Sequence, residues 1–265
     1  MKTIFDKIYV LSLITNKTRQ EHIKYQFEDL GIDFEFIYGT DFQNIKYDAQ
    51  ENEINYPNVW AKEYYAKIFI NKYADFGCTL THYNAISFAY HLGYNNVLVI
   101  EDDICFIKDK SIIEYYLNNI PEDADFVTWD PRFLSQKESD RLSMQLLKNK
   151  KNYWEYLNND KYKSLIGGLM YGIMNRKSMK LYLDNQHKAF NMSDHVIGFW
   201  NDHPSVKRYI SINCICTDQI YIYNKSKDNS ITSILHNNAY SRIYNYPIDY
   251  FYKPKEYLLF TRFTI

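Results

Sequence analysis

Asn95-Asn96-Val97-Leu98-Val99-Ile100-Glu101-Asp102-Asp103 is the stretch on which the fold turns. Four aliphatic residues in succession, Val97 to Ile100, predict a strand buried on both faces, as strands of a parallel sheet are. The strand then stops at three carboxylates. Ligands of open α/β sheets bind beyond the carboxyl ends of the strands. An acidic cluster at that point is placed to hold a hard divalent cation, and through it a phosphate. The same residues would also make an ordinary solvated turn, and the rest of the chain has to separate the two readings.

Immediately upstream, Thr79 to Leu92 predicts the helix that feeds this strand. Leu80, Tyr83, Ile86, Ala89 and Tyr90 form its apolar stripe, and Gly93 ends it. Further back, Ile8 to Leu13 predicts a first buried strand. Lys17 to Leu30 predicts a helix, with Ile23, Phe27 and Leu30 at helical spacing and Gly31 suited to the position after its end. Phe34 to Tyr38 predicts a second strand, closing at Gly39-Thr40-Asp41. A strand, a helix and a strand in that order imply parallel pairing with a right-handed crossover. Phe42 to Asn58 is polar and patternless, and Val59 to Tyr73 is compatible with a helix.

Downstream, Ser111 to Asn119 predicts a helix and Phe126 to Trp129 a short strand ending at Asp130-Pro131. Residues 132–164, rich in Lys, Asn and Gln, predict an insertion with some helix. Gly167 to Met174 reads as a strand whose glycines mark a bulge or a close approach, the bulge being favoured. Arg176 to Leu183 predicts a helix, and Ile210 to Ile215 and Ile220 to Ile222 short strands. A tail, 240–265, interleaves aromatic and basic residues. The fold expected is a single α/β domain with an open, mostly parallel twisted sheet flanked by helices.

Composition narrows the function classes. The 265 residues suffice for one large α/β domain. A formal net charge of -1 gives no electrostatic reason to expect nucleic acid as a partner. Cys78, Cys105, Cys214 and Cys216 contain no Cys-x-x-Cys pair, so zinc is not expected and reduced buried thiols are. Charged residues stand where a signal peptide would have its apolar core, and no apolar run reaches the ~18 residues of a membrane span. The expected location is cytoplasmic, with peripheral contact at the inner membrane face through the 240–265 tail as the alternative to packing of that tail on the core.

At this point the chain resembles glycosyltransferase family 25, the lipooligosaccharide and collagen galactosyltransferase group. The resemblance rests on Ile8 to Leu13 with Arg19, on Phe34 to Asp41, on Gly77-Cys78-Thr79-Leu80-Thr81-His82, and on Leu98 to Asp103. Gly168 to Leu181, Gln219 and Asn229-Ser230-Ile231 add weaker matches. Ala74 and Asp75 stand where the family has glycine and glutamate, Thr81 where it has serine, and Asn229 where it has aspartate. Those departures bear on the substrate more than on the fold.

The resemblance implies a GT-A-like sheet and metal-dependent, inverting transfer of a hexose, galactose first, from a UDP-sugar to a glycan or lipid-linked glycan acceptor. It implies Mn²⁺ or Mg²⁺ at Glu101 and Asp103, whose alternation along an extended chain would let them converge. Asp102 is then left to fix the turn or the ribose. Leu11, Ser12, Arg19 and Asp41, at the ends of the first two strands, would hold the nucleoside, although Arg19 also reads as a helix surface charge and Asp41 as a turn residue. His82 reads either as a hydrogen-bonded structural histidine or as a contact to donor phosphate or acceptor, with Thr79 or Thr81 as N-cap of its helix. For the general base that inversion needs, Asp194 is the first choice and Asp130 the second. The alternatives are a nucleotidyl- or phosphotransferase using the same acids, and a non-catalytic binding module on the same fold.

Overall fold

A computed structural model describes residues 1–39, 72–129, 154–156, 170–188, 205–211, 215–218 and 252. In chain order these form β1 (Lys7–Leu13), α1 (Lys17–Leu30), β2 (Glu35–Gly39), α2 (Lys72–His91), β3 (Asn96–Glu101), β4 (Ile104–Phe106) and α3 (Lys110–Asn118). There follow β5 (Phe126–Thr128), β6 (Trp154–Tyr156), β7 (Met170–Met174), α4 (Arg176–Lys188), β8 (Arg208–Ser211) and β9 (Cys216–Asp218). Among the described residues the main sheet has seven strands in the order β2-β1-β3-β7-β5-β8-β6, and β4 pairs with β9 in a separate ribbon.

The aliphatic run of β3 lies at the middle of this arrangement and is buried on both sides. Leu98 and Ile100 join Ile8 and Val10 of β1 under Ile23 and Phe27 of α1 and Ile113 and Leu117 of α3. Val97 and Val99 join Tyr9 and Leu11 under Ala85, Ile86 and Ala89 of α2 and Met179 and Tyr182 of α4. The described residues therefore form a three-layer α/β sandwich, with α1 and α3 on one face and α2 and α4 on the other. Each of the four β3 side chains contributes roughly 1.5–3 kcal/mol by leaving water.

β1 runs parallel to both β2 and β3, so the first strand–helix–strand unit is as expected. Gly31 closes α1 in the left-handed conformation, at φ 64. β7, however, is antiparallel to both β3 and β5, and the sheet is mixed rather than mostly parallel. Burial on both faces is what the sequence pattern records, and a strand covered by two helical layers shows it whichever way it runs. The β3–β7 ladder continues without interruption from Asn96↔Met174 to Ile100↔Met170, so β7 carries no bulge there. Gly172 instead makes room for side chains: a Cβ on it would lie 2.8 Å from the Phe5 ring and from Val127 Cγ2.

Two further boundaries differ from expectation. α2 begins by Lys72, so Thr79 and Thr81 are interior to it and neither caps its start. Thr81 Oγ1 donates instead to the Gly77 carbonyl one turn back, at 2.6 Å. Gly77 lies within this helix, where its cost of about 1 kcal/mol is small beside the packing of a helix on a sheet. The expected insertion also supplies β6, which pairs antiparallel with β8 in the main sheet. α3 gains an N-cap at Asp109, whose carboxylate accepts from the Ser111 and Ile112 amides.

Gln26, fully buried in α1, accepts from the Phe106 amide at 2.7 Å and donates to the Ile104 carbonyl at 3.1 Å, tying α1 to β4. From the tail, Tyr252 belongs to the core. Its amide donates to Phe106, its ring meets Tyr25 edge-on, and its hydroxyl donates to Asp29. The other tail residues, 220–222, 42–58 and 59–71 lie outside the described residues. Among the described residues no helix is long and apolar enough to cross a membrane.

Candidate functional site

The carboxyl end of β3 is where the acids of the central strand meet the two helical layers. Alternation along the strand sends Ile100 toward α1, so Glu101 faces α2. There its Oε1 lies 3.1 Å from Nε2 of His82. The other imidazole nitrogen, Nδ1, lies 2.7 Å from the hydroxyl of Tyr171 on β7, and the two rings stack at 5.6 Å. Tyr171 is in place because it pairs with Val99 in the ladder. Burial, with the nearby Tyr182, Glu101 and Cys78 adding, pushes the Tyr171 phenol well above its ordinary pKa, so it keeps its proton. The result is a chain Tyr171–His82–Glu101 whose outer end reaches solvent: His82 is 2% exposed, the Glu101 side chain 32%.

Asp102 turns the other way. Its carboxylate is buried beneath α1, accepting from Ser12 Oγ at 2.6 Å, Asn16 Nδ2 at 3.3 Å and Arg19 Nη1 at 2.8 Å. Gln20 completes the cluster, donating to the Leu13 carbonyl at 2.8 Å. Taking an aspartate and an arginine out of water costs several kcal/mol, and only a dense hydrogen-bond set of this sort offsets it. Asp103 follows in the turn, where strand alternation no longer applies, and its Oδ2 lies 4.0 Å from the same guanidinium.

Of the residues expected to form the site, the structure thus gathers Ser12, Arg19, His82, Glu101, Asp102 and Asp103 around the ends of β1 and β3. Leu11 sits among them as a buried core residue of β1, opposite Glu101 in the register. His82 has both ring nitrogens engaged within the protein. Asp41, Asp130 and Asp194 lie outside the described residues.

Four contributors are not candidates in the sequence reading. Asn16, Gln20 and Tyr171 carry no local signal, since their roles depend on which elements become neighbours. Cys78 had one: it precedes His82 by four residues, one turn of a helix. Cys105 and Cys216 are buried thiols as expected, whereas Cys78 is exposed. Its Sγ, a His82 ring nitrogen and a Glu101 oxygen all lie within 4.8 Å of one another.

A family model described as glycosyltransferase family 25 (LPS biosynthesis protein) matches residues 5–197, which takes in β1 to α4 and all of the site just described. No curated protein matches the chain.

Proposed function

Because the chain belongs to glycosyltransferase family 25, we propose that it transfers a hexose from a UDP-sugar to a glycan acceptor of a surface polysaccharide or lipooligosaccharide, with a divalent cation at the end of β3. The observation that carries this reading is the division of labour among the three acids. Asp102 is consumed by Ser12, Asn16 and Arg19, while Glu101 and Asp103 keep side chains 32% and 18% exposed at the strand end. Two carboxylates are hard oxygen donors of the kind Mn²⁺ and Mg²⁺ accept, so the residues present suit such an ion.

When bound, the cation would supply Lewis acidity to the departing diphosphate. The chain's own residues do the remaining work. Asp102, itself fixed by Ser12 and Asn16, holds Arg19 beside the strand ends, where its positive charge would meet a donor phosphate without reordering. Tyr171 orients His82, and His82 orients the Glu101 carboxylate. Leu11 and Ser12, with Asp41 beyond Gly39, are assigned to the nucleoside. The acceptor hydroxyl is assigned a carboxylate base from the C-terminal half, Asp194 before Asp130. Galactose, as the hexose, and inversion are taken from the family resemblance.

Thermal unfolding with a panel of UDP-sugars, with and without Mn²⁺, tests the proposal. A cognate donor at a hundredfold excess over its Kd should raise Tm by on the order of 5 °C, and only with the metal. If no UDP-sugar protects the protein in the presence of Mn²⁺, the assignment falls. Product analysis then separates transfer, which releases UDP, from nucleotidyl transfer, which releases pyrophosphate.

A further inference from the structure

Cys78 and His82 stand one turn apart on α2, so their side chains share a face. That face looks onto the end of β3, where Glu101 completes a group of one thiol, one imidazole and one carboxylate, all within 4.8 Å of one another. The donor-cation reading above uses the carboxylate alone. The three together have a different chemistry. Mn²⁺ and Mg²⁺ prefer oxygen ligands throughout, whereas a mixed sulfur, nitrogen and oxygen set suits a borderline-soft ion such as zinc.

We propose that Cys78, His82 and Glu101 form a zinc-class cation site, with water as the fourth ligand. Tetrahedral coordination holds its donors roughly 3.3–3.7 Å apart. His82 Nε2 and Glu101 Oε1 stand at 3.1 Å, and rotation about Cα–Cβ of the exposed Cys78 would bring its Sγ, within 4.8 Å of both, into the same shell. Tyr171 supplies the outer support that metal-bound histidines require. With its hydroxyl accepting from Nδ1–H, the imidazole presents a bare Nε2 to the ion. Without the ion the relay reverses: the phenol donates to Nδ1, and Nε2–H donates to Glu101. Binding therefore needs no rearrangement of the rings, only a change of tautomer and loss of the Cys78 thiol proton to solvent.

The absence of a Cys-x-x-Cys pair pointed away from zinc, but a Cys-x-x-x-His turn closed by a strand-end glutamate is another way to assemble a three-ligand site. The exposure of Cys78 gives the ion its path in.

Cobalt(II), which substitutes for zinc and reports a thiolate ligand through an intense near-ultraviolet charge-transfer band, provides the test. It is titrated into the full chain near neutral pH under reducing conditions. The wild-type chain should develop the band and lose it on addition of zinc. Cys78→Ser should abolish the band, and Glu101→Gln should weaken cobalt binding about tenfold or more. Circular dichroism checks that both variants fold, with Cys78→Ala as the substitute if serine disturbs α2. No band in the wild type, or a band that survives in Cys78→Ser, overturns the site.

A second consequence rests on the function proposed above: zinc should suppress the Mn²⁺-dependent protection by UDP-sugar, because Glu101 cannot serve both ions. Protection that zinc leaves untouched would count against the shared ligand. Protection absent from the start would count against the transferase reading alone, and the cobalt spectrum would still decide the site.

Discussion

Glu101 and Asp102 are neighbours in sequence and carry the same charge, yet they end in opposite worlds. Asp102 lies beneath α1 in a closed set with Ser12, Asn16 and Arg19, buried and fully engaged. Glu101 lies beneath α2, a third exposed, hydrogen-bonded to a histidine that is itself braced from behind. The difference extends across the whole sheet. On the α1 side, Gln26 stitches the helix to β4 and Gly172 receives the Phe5 ring. On the α2 side, the polar groups Tyr171, His82, Glu101 and Cys78 line up toward solvent. Both faces carry a buried core, but one buries its acid in a hydrogen-bonded set while the other leaves its acid partly exposed. A run of acids is thus several residues with separate surroundings, set by where the strand ends at Glu101 and the turn through Asp102 and Asp103 begins.

The largest effect should come from breaking the α1 face. Asp102→Ala removes the carboxylate that Arg19, whose side chain is only 13% exposed, meets at 2.8 Å. Loss of one member of a buried pair costs about 3–5 kcal/mol. Glu101→Gln, on the other face, keeps the shape and an acceptor for His82, and should change stability by no more than about 1 kcal/mol. Its sugar-transfer rate should nevertheless fall by about a hundredfold or more, as charge stabilisation at the reacting phosphate is lost. Urea denaturation and transfer assays on the same two preparations make the comparison. Equal destabilisation with turnover intact in Glu101→Gln would erase the distinction between the faces.

How much of this could be read from the sequence follows from the range of the interactions involved. The aliphatic run Val97 to Ile100 was sufficient to place β3 at the centre, because burial on both faces leaves a local pattern. Gly31 announced the end of α1, since only a residue free of Cβ strain takes its left-handed conformation cheaply. The reversal of β7 left no trace, because direction is set by the path of the chain between strands. The space at Gly172 is hidden for a related reason: the ring that fills it comes from Phe5, far away in sequence. Within the candidate site, the acids, Arg19 and His82 are legible in the sequence as candidates, but their partners are not. Ser12 meets Asp102, and Tyr171 meets His82, only because β1 and β7 flank β3.

A pH change should sharpen the comparison next. His22 is buried in α1 with Nε2 3.4 Å from the Cys105 thiol, and desolvation holds its pKa down at about 4, against an ordinary 6.5. Below pH 6.5 the unfolded chain takes up a proton that the folded imidazole refuses. The stability that the neutral ring supports is therefore complete above that pH and is lost progressively toward pH 4, where both states are protonated and the loss levels off. The span amounts to roughly 3 kcal/mol. His22→Leu should flatten this part of the curve of unfolding free energy against pH while leaving donor protection in place. A variant with the wild-type slope would show that other groups on the α1 face carry the acid sensitivity.

The smallest expected effect is the most discriminating, because it removes one oxygen from behind the α2 face. Tyr171→Phe retains the stacked ring and deletes the hydroxyl that lies 2.7 Å from His82 Nδ1. The cost to folding should be about 1 kcal/mol, the worth of one hydrogen bond. The effect on the site should be larger than its effect on the fold. An imidazole no longer fixed in orientation or tautomer holds Glu101 less firmly, and loss of such support lowers metal affinity or turnover by about 10- to 100-fold. The signature of positioning, as opposed to general loosening, is weaker cobalt binding together with a lower kcat at an unchanged KM for donor. If the hydroxyl serves only the core, Tm alone will move, and the line from Tyr171 to Glu101 will belong with the structural contacts of the other face.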